Sequence, residues 1–555
     1  MANNNLFSVA GPPGTGKTCW LAKQIARAGE AYGTSSVIVC SYTRAAALRI
    51  REQVAADGVD IDPRNIGTIH AFCRKMIGAD KPAENLIAEF SEENQHYAFR
   101  CEKKNADDPY ATEDRQAANA NDATWQEINI LRARMVPIDK WGRRCQDMYR
   151  VWCDWKTRNG LTDFTDWLEI SLREFDSPPN NAAAVFCDEV QDCSLLQLRL
   201  LEAWATKTLR TILAGDCDQT LYEFAGSSAI DFLAVVSQLP DANRLVLKQS
   251  YRVPKVVHAV AMKYVEKITQ REKVVYLPRD FTGSATTCNG SSKCPELIVK
   301  EVERIVDSGK TAMVLASCSY MLSSVIKMLR ERLVPFCNQY RPTDGVWNPL
   351  RRGVKQVTAT DSVLAFLAPD KETWGASASG WSKRDAWAWL RNVKVKGILV
   401  AGAKQWIKTL KNDTEPLAVS ELLEHVDSQA MKQLERVAFY SPEAVRESLA
   451  WLGSVLLPKA ARTMDYPLRV AAKRGGAVLK VQPKVTVGTI HSVKGGEADV
   501  VFLMPDLSRA AIKQWHEGEE QRNSVRRMVY VGLTRAREDL VLCSAGSRDS
   551  FVVRI

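Results

Sequence analysis

Short, continuous apolar runs punctuate the chain, separated by longer stretches with helical spacing. Leu6–Ala10 and residues 36–40, 182–187 and 208–213 are the clearest, each closed by glycine or polar residues. Runs of this length without in–out alternation predict strands buried on both faces, the pattern of a parallel sheet. Residues 19–29 and 45–55 carry helical patterns between them, and 245–250 predicts one further strand, followed by the aromatic–arginine pair Tyr251-Arg252. Strand then helix returns at 314–317 and 322–333, and strands again at 485–487, 500–503 and 539–543. Together these elements predict an α/β chain with two parallel-sheet regions.

Two stretches break the pattern. Residues 74–160 are polar and helical in composition, with a charged, weakly ordered middle expected over 102–122. Trp141, Trp152 and Trp155 come next at mostly helical spacing, which predicts a packed core. Residues 345–484 interrupt the second region and hold seven of the fifteen tryptophans. Of these, Trp374, Trp381, Trp387 and Trp389 are also read as core.

The polar segments that close the apolar runs carry the candidate chemistry. After Leu6–Ala10 comes Gly11-Pro12-Pro13-Gly14-Thr15-Gly16-Lys17-Thr18, and then a helix. Glycines there let backbone N–H groups approach phosphate oxygens, and the helix start adds partial positive charge. Lys17 can reach the β/γ-phosphates and Thr18 can ligate Mg²⁺. This stretch predicts nucleoside triphosphate binding. Asp188 and Glu189 close the run at 182–187, where one carboxylate can hold Mg²⁺ and its neighbour activate water. Gln219 comes after the run at 208–213 and is placed to sense the γ-phosphate or its water. Small hydroxyl residues and an arginine, Ser41-Tyr42-Thr43-Arg44, end another strand where phosphates could meet them. His70, alone in Gly67-Thr68-Ile69-His70-Ala71-Phe72, reads from spacing as a packed structural histidine.

Composition narrows the class. With 555 residues, 46% hydrophobic and 25% charged, the chain suits a soluble protein of three or four domains or subdomains. No apolar run approaches a membrane span, and Met1–Asn5 has neither a basic region nor an apolar core, so a cytoplasmic location is expected. Fourteen scattered cysteines with no C-x-x-C pair point to reduced thiols rather than a zinc or iron–sulfur site. The net charge of +10 is concentrated: residues 345–484 hold 22 Lys+Arg against 13 Asp+Glu, and the remainder 53 against 52. That surplus fits a polyanion partner and a solvated surface equally well.

In order along the chain, GPPGTGKT (11–18), SYTRAAA (41–47), GTIHAFC (67–73) and DEVQDCS (188–194) resemble motifs of the UvrD/Rep-like helicases of superfamily I. So do AGDCDQTLYEF (214–224), QSYR (249–252), VGTIHSVKGGEADVVF (487–502) and RRMVYVGLTRAR (526–537), while Asp163-Phe164-Thr165-Asp166 matches a further family signature. The resemblance implies two RecA-like parallel-sheet domains of the P-loop NTPase type, each with an inserted mainly helical subdomain. The implied division is 1–73 with 161–252 as the first domain and 74–160 as its insertion. The second domain would be 253–344 with 485–555, carrying 345–484. ATP and Mg²⁺ are the implied cofactors, with Gly11 to Thr18 as the phosphate loop, Thr18 and Asp188 on the metal and Glu189 as base. Gln219 would link the γ-phosphate to the nucleic acid, with Arg252 and Arg535 as arginine fingers. Tyr251 would stack on adenine and Glu497 approach the ribose. Thr43, Thr68, His70, Thr489 and His491 would lie along the DNA backbone, with Tyr222 and Phe224 near the bases.

The implied activity is 3′-to-5′ translocation on single-stranded DNA or a tailed duplex, with RNA as an alternative substrate. A second reading is a DNA-dependent ATPase that displaces proteins with little unwinding, and a third is a nucleotide-gated binding protein. A protein partner through 345–484 is a further candidate. The chain departs from the family pattern at Cys19, at Phe224-Ala225-Gly226 where aromatic-Arg-Gly is usual, and at Asn523-Ser524-Val525 where glutamates are usual. A glutamine-bearing segment ahead of Gly11 is not expected in the ten residues present, which leaves adenine selection open. The family's strand-separating hairpin comes after the last motif. Here Phe551 is the one aromatic among residues 544–555, so poor unwinding of long duplexes is expected.

Overall fold

The computed structural model describes residues 5–42, 44–100, 119–342, 344–353, 356–369, 379–437, 441–551 and 553. The chain forms two compact units, one of Met1–Thr287, Ala316–Ser319 and Thr489–Ile555, the other of Cys288–Leu315 and Tyr320–Gly488. Its strands, in chain order, begin with β1 (Leu6–Ala10), β2 (Val37–Ser41), β3 (Ile66–Thr68), β4 (Ala184–Asp188) and β5 (Arg210–Gly215). Then come β6 (Arg244–Val246), β7 (Gln249–Pro254), β8 (Leu277–Arg279), β9 (Ser284–Cys288) and β10 (Ala312–Ala316). The last are β11 (Phe336–Cys337), β12 (Val485–Thr489), β13 (Ala498–Leu503) and β14 (Ala536–Cys543).

In the first unit a six-stranded sheet runs β3-β2-β4-β5-β1-β6, its strands parallel. The continuous apolar runs result from burial on both faces. Val37 and Val39 of β2 and Phe186 of β4 join Leu21, Ala22 and Ile25 of the helix Lys17–Tyr32 on one face. Ile38, Cys40, Val185 and Cys187 point the other way, onto Ile69, Phe72, Leu201 and Trp204. Each fully buried Ile, Leu or Phe contributes about 1.5–3 kcal/mol. Register aligns the strand ends: Ser41 pairs with Asp188 and Ala10 with Gly215, so the polar segments after β1, β4 and β5 emerge together.

Residues 245–250, expected as one strand ahead of Tyr251-Arg252, divide between β6 and β7. β6 pairs with β1, and β7 pairs with β8 in a separate two-stranded sheet. The chain leaves the large sheet because Tyr251 N–H donates to Gly14 O at 2.8 Å and Ser250 Oγ to Pro13 O at 2.9 Å, bonds that lay it across the phosphate loop. The first unit also contains the run β13-β14-β9, with β13 and β14 parallel.

The described residues of 74–160 are mainly helical, with Phe90, Trp125, Trp141, Trp152 and Trp155 in one aromatic core. Of the segment expected to be weakly ordered, residues 102–118 lie outside the described residues. Asp122, by contrast, is buried in a capping box with Asn119 that starts the helix Ala120–Ala133.

The second unit holds the run β11-β12-β10 and a helical region from Ala359–Phe366 to Pro458–Arg474. Phe366, Trp381 and Trp389 sit in its core, Trp387 packs against it half-buried, and Trp374 lies outside the described residues. Arg474 donates to Leu333 O at 2.7 Å and to Glu303 at 2.9 Å, so part of the positive surplus has a structural use. Among the described residues no helix is long and apolar enough to cross a membrane.

Candidate functional site

The phosphate loop is shaped by two left-handed glycines, Gly14 (φ 74°) and Gly16 (φ 78°). At Gly14 a side chain is excluded twice over, since a Cβ would lie 2.4 Å from Arg252 Cβ. Lys17 Nζ donates back to Gly11 O at 2.8 Å, and Thr15 Oγ1 to Pro12 O at 2.8 Å. Tyr276 OH donates to Pro13 O at 2.9 Å, bracing the loop from the segment after β7. The loop is therefore held from both sides by the protein's own hydrogen bonds.

Asp188 ends β4 beside it. Its Oδ2 accepts from Thr18 Oγ1 at 3.2 Å, and its Oδ1 accepts from Glu189 N–H at 3.0 Å. Burial, with Glu189 adjacent, pushes Asp188 up to about 6 against the pull of Lys17. Burial also opposes charge on Glu189, but Lys17, Lys494, the Gln191 amide and Arg535 outweigh it and hold Glu189 well below the usual carboxylate range. Glu189 itself is left-handed at φ 56°, a conformation costly for a residue with a Cβ. Gln191 maintains it, donating to Glu189 Oε2 at 2.6 Å while its Oε1 accepts from Asp216 N–H at 3.0 Å.

Gln219 is buried and fully engaged. Its Nε2 donates to Asp216 Oδ2 at 2.7 Å, its Oε1 accepts from Arg535 at 2.9 Å, and its backbone O accepts from Lys494 Nζ at 2.9 Å. Lys494 also pairs with Asp192 and lies 3.5 Å from Glu189 Oε2. Arg535 is 1% exposed, and the carbonyls of Val531 and Gly496 accept from it as well. Arg252 donates to Glu497 Oε2 at 2.6 Å, and Arg537 approaches the same carboxylate at 3.6 Å. Tyr251 stands next to Gly16 and is 71% exposed, an open ring face at the loop.

The structure thus brings together Gly11 to Thr18, Asp188, Glu189, Gln219, Tyr251, Arg252, Glu497 and Arg535. Thr18 and Asp188 offer a hydroxyl and a carboxylate, the hard oxygen donors that Mg²⁺ takes. Burial leaves Asp188 short of compensating positive charge, which a cation would supply. The pair fits that ion.

Residues expected along the nucleic acid differ in how far the fold engages them. Tyr222 is 1% exposed, its ring 5.0 Å from that of Tyr42 and 6.4 Å from that of His491, so it has no open face for a base. Thr489 is buried, and its hydroxyl accepts from Ser492 N–H, shaping the turn that carries His491. Thr68 caps the helix Ile69–Met76 through Ala71 N–H. His70 packs edge-on to Phe164 at 6.3 Å, and burial pushes it down to about 4, so it is neutral near pH 7. Phe224 is only half-buried, 6.0 Å from the His491 ring. Thr43 lies outside the described residues. Phe551, the one aromatic among residues 544–555, is 5% exposed and packs against Tyr264.

Sequence reading missed Lys494, Gln191 and Asp192. Reading Asp188-Glu189-Val190-Gln191-Asp192 as one unit would have drawn attention to the last two. A lysine with Gly495-Gly496 behind it, just after a strand, resembles Gly16-Lys17 enough to have marked Lys494.

Residues 2–240 match the UvrD/REP helicase N-terminal domain, and residues 484–543 the UvrD-like helicase C-terminal domain. An ATP-dependent DNA helicase PcrA of Bacillus subtilis (strain 168) is 21% identical over 611 residues, covering 97% of this chain and 80% of that protein. Its namesake in Staphylococcus aureus (strain MRSA252) is 22% identical over 605 residues, covering 97% and 81%.

Proposed function

Because the chain belongs to the UvrD/REP helicase family, we propose that it hydrolyses ATP and couples the turnover to 3′-to-5′ movement along single-stranded DNA. In chemical terms, water attacks the γ-phosphorus and gives its proton to Glu189, while Lys17 meets charge on the departing β-phosphate. Thr18 and Asp188 would hold Mg²⁺, which neutralises phosphate charge when bound. Arg252 and Arg535 stabilise the transferring group, each finger worth roughly 10³–10⁵ in rate. Tyr251 stacks on the adenine, and Glu497 turns from Arg252 to the ribose. Phe224 and His491 face the strand, with Thr68 at its backbone. Residues 1–73 with 161–252, and 253–344 with 485–555, serve as the two RecA-like domains. The segments 74–160 and 345–484 are their insertions.

One arrangement supports this reading above the rest. Arg535 and Lys494, both from the second matched region, reach Gln219 at 2.9 Å, and Lys494 lies 3.5 Å from Glu189. A hydrolytic centre so assembled depends on chain segments hundreds of residues apart, so turnover and conformation are linked. The intact set of Lys17, Glu189, Gln219, Arg252 and Arg535 speaks against a binding protein with little turnover. Burial of Phe551 favours a second reading, translocation that displaces bound proteins with little strand separation of its own.

The test is ATP-driven removal of streptavidin from biotinylated oligonucleotides. Displacement from the 5′ end alone is expected for 3′-to-5′ movement, and displacement from the 3′ end alone would reverse the polarity. RNA oligonucleotides in the same assay decide the substrate.

A further inference from the structure

The turn that carries Gln219 is tied down at a second point. Four residues on, Glu223 Oε1 lies 3.3 Å from Arg527 Nη1, and Arg527, 1% exposed, also donates to Gln270 O at 2.6 Å. Arg527 lies in the helix Glu519–Leu533, eight residues or about two turns before Arg535. Gln219–Arg535 and Glu223–Arg527 are therefore two rivets between the same turn and the same stretch of chain. Between them sits Tyr222, and directly after the outer rivet comes Phe224, the half-buried ring beside His491.

The surroundings make the outer pair more than a surface contact. Arg271 pairs with Asp218 at 2.6 Å and Asn523 donates to Thr269 at 2.9 Å, so residues 269–271 are pinned alongside. Inside the turn, Ala225 N–H donates to Tyr222 O at 2.8 Å and Gly226 N–H to Glu223 O at 3.0 Å, which makes the segment one stiff piece. With both rivets, a shift of Arg535 carries Phe224 with it. With only the inner one, the segment can pivot about Gln219 and Phe224 is released from Arg535.

We propose that Glu223 and Arg527 are positioning residues that bind the motion of Phe224 to the Gln219–Arg535 contact, so that nucleic acid at Phe224 sets the hydrolytic geometry. This rests on the ATP-driven, DNA-dependent function proposed for the chain. By linkage, what one end feels the other must answer.

The experiment compares steady-state ATP hydrolysis by the full chain, with and without an oligothymidylate, in the parent, Glu223→Gln, Arg527→Gln and the double variant. Basal turnover is expected to stay near the parent value. Maximal stimulation by the oligonucleotide should be largely lost, a fall of roughly fivefold that brings the stimulated rate close to the basal one, the scale of ordinary coupling between two sites. The double variant should lose no more than either single one, because all three remove the same link. Variants stimulated as strongly as the parent would overturn the proposal while leaving the functional reading intact. So would basal and stimulated rates falling by one common factor with a lower melting temperature, since that marks a merely structural pair. A parent whose turnover the oligonucleotide does not raise would overturn the functional reading, and this coupling with it.

Discussion

The cluster that ties Arg132 and Lys156 to Asp163, Asp166 and Glu169 and the cluster of Lys17, Asp188, Glu189, Gln219, Lys494 and Arg535 are both charged, hydrogen-bonded and largely buried. In the first cluster the charges close on one another. Arg132 reaches Asp163 at 2.8 Å, Asp166 at 2.7 Å and Glu169 at 2.8 Å, while Lys156 holds Asp163 at 2.6 Å and also Asp166. Trp152 adds a third side-chain donor to Asp163 at 2.9 Å. At the phosphate loop, by contrast, Glu189 takes an amide hydrogen bond from Gln191 and stands 3.5 Å from the Lys494 ammonium. Asp188 accepts from a hydroxyl and a backbone N–H, and burial with Glu189 adjacent still pushes it up against the pull of Lys17. Buried charge that closes on itself holds helices together, whereas buried charge with capacity left over can act on a ligand.

Substitutions should separate the two clusters. The largest loss is expected from Arg535→Ala, roughly 10³–10⁵ in ATP turnover, measured at saturating ATP. Glu189→Gln should come next, roughly 10²–10⁴ slower with nucleotide binding retained, because only the water-activating group goes. Turnover at the parent rate would remove Glu189 from the role of base. In the other cluster, Asp163→Ala leaves Arg132 and Lys156 without their shared partner. Denaturant unfolding should record a loss of about 3–5 kcal/mol, with turnover per folded molecule unchanged.

That cluster should also respond to acid. Burial opposes charge on Asp163, but Arg132 and Lys156 prevail and hold it well below the usual carboxylate range. A lowered carboxylate adds stability above its unfolded value of about 3.9 and loses it as pH falls through the folded one. Glu84 runs the other way. Burial and Asp163 push it up to about 8, so its share is complete below its unfolded value and fades as pH rises toward 8. The smallest effect is expected at Phe551→Leu, under about 1.5 kcal/mol in stability and no change in duplex unwinding, since the ring is packed.

Much of this was legible in the chain itself, for local reasons. β1, β2, β4 and β5 fall within two residues of their apolar runs, because burial on both faces demands continuity. The phosphate loop and Asp188-Glu189 were readable because their chemistry needs adjacent residues. The features that escaped depend on distant partners. The break between β6 and β7 is imposed by Gly14 and Pro13, more than 230 residues earlier. Lys494 finds Asp192 across 302 residues, and no periodicity announces such a pair. Tyr222 and Thr489 carry the side chains a nucleic-acid face would use, yet the fold turns both inward.

If the charge left open at the phosphate loop serves a nucleic-acid-driven ATPase, single-stranded DNA titrated into the full chain must raise its rate of ATP hydrolysis. A saturable rise of roughly fivefold or more is expected, the scale of ordinary coupling between two sites. A rate that stays flat at every DNA concentration, in protein that binds ATP, would refute that reading.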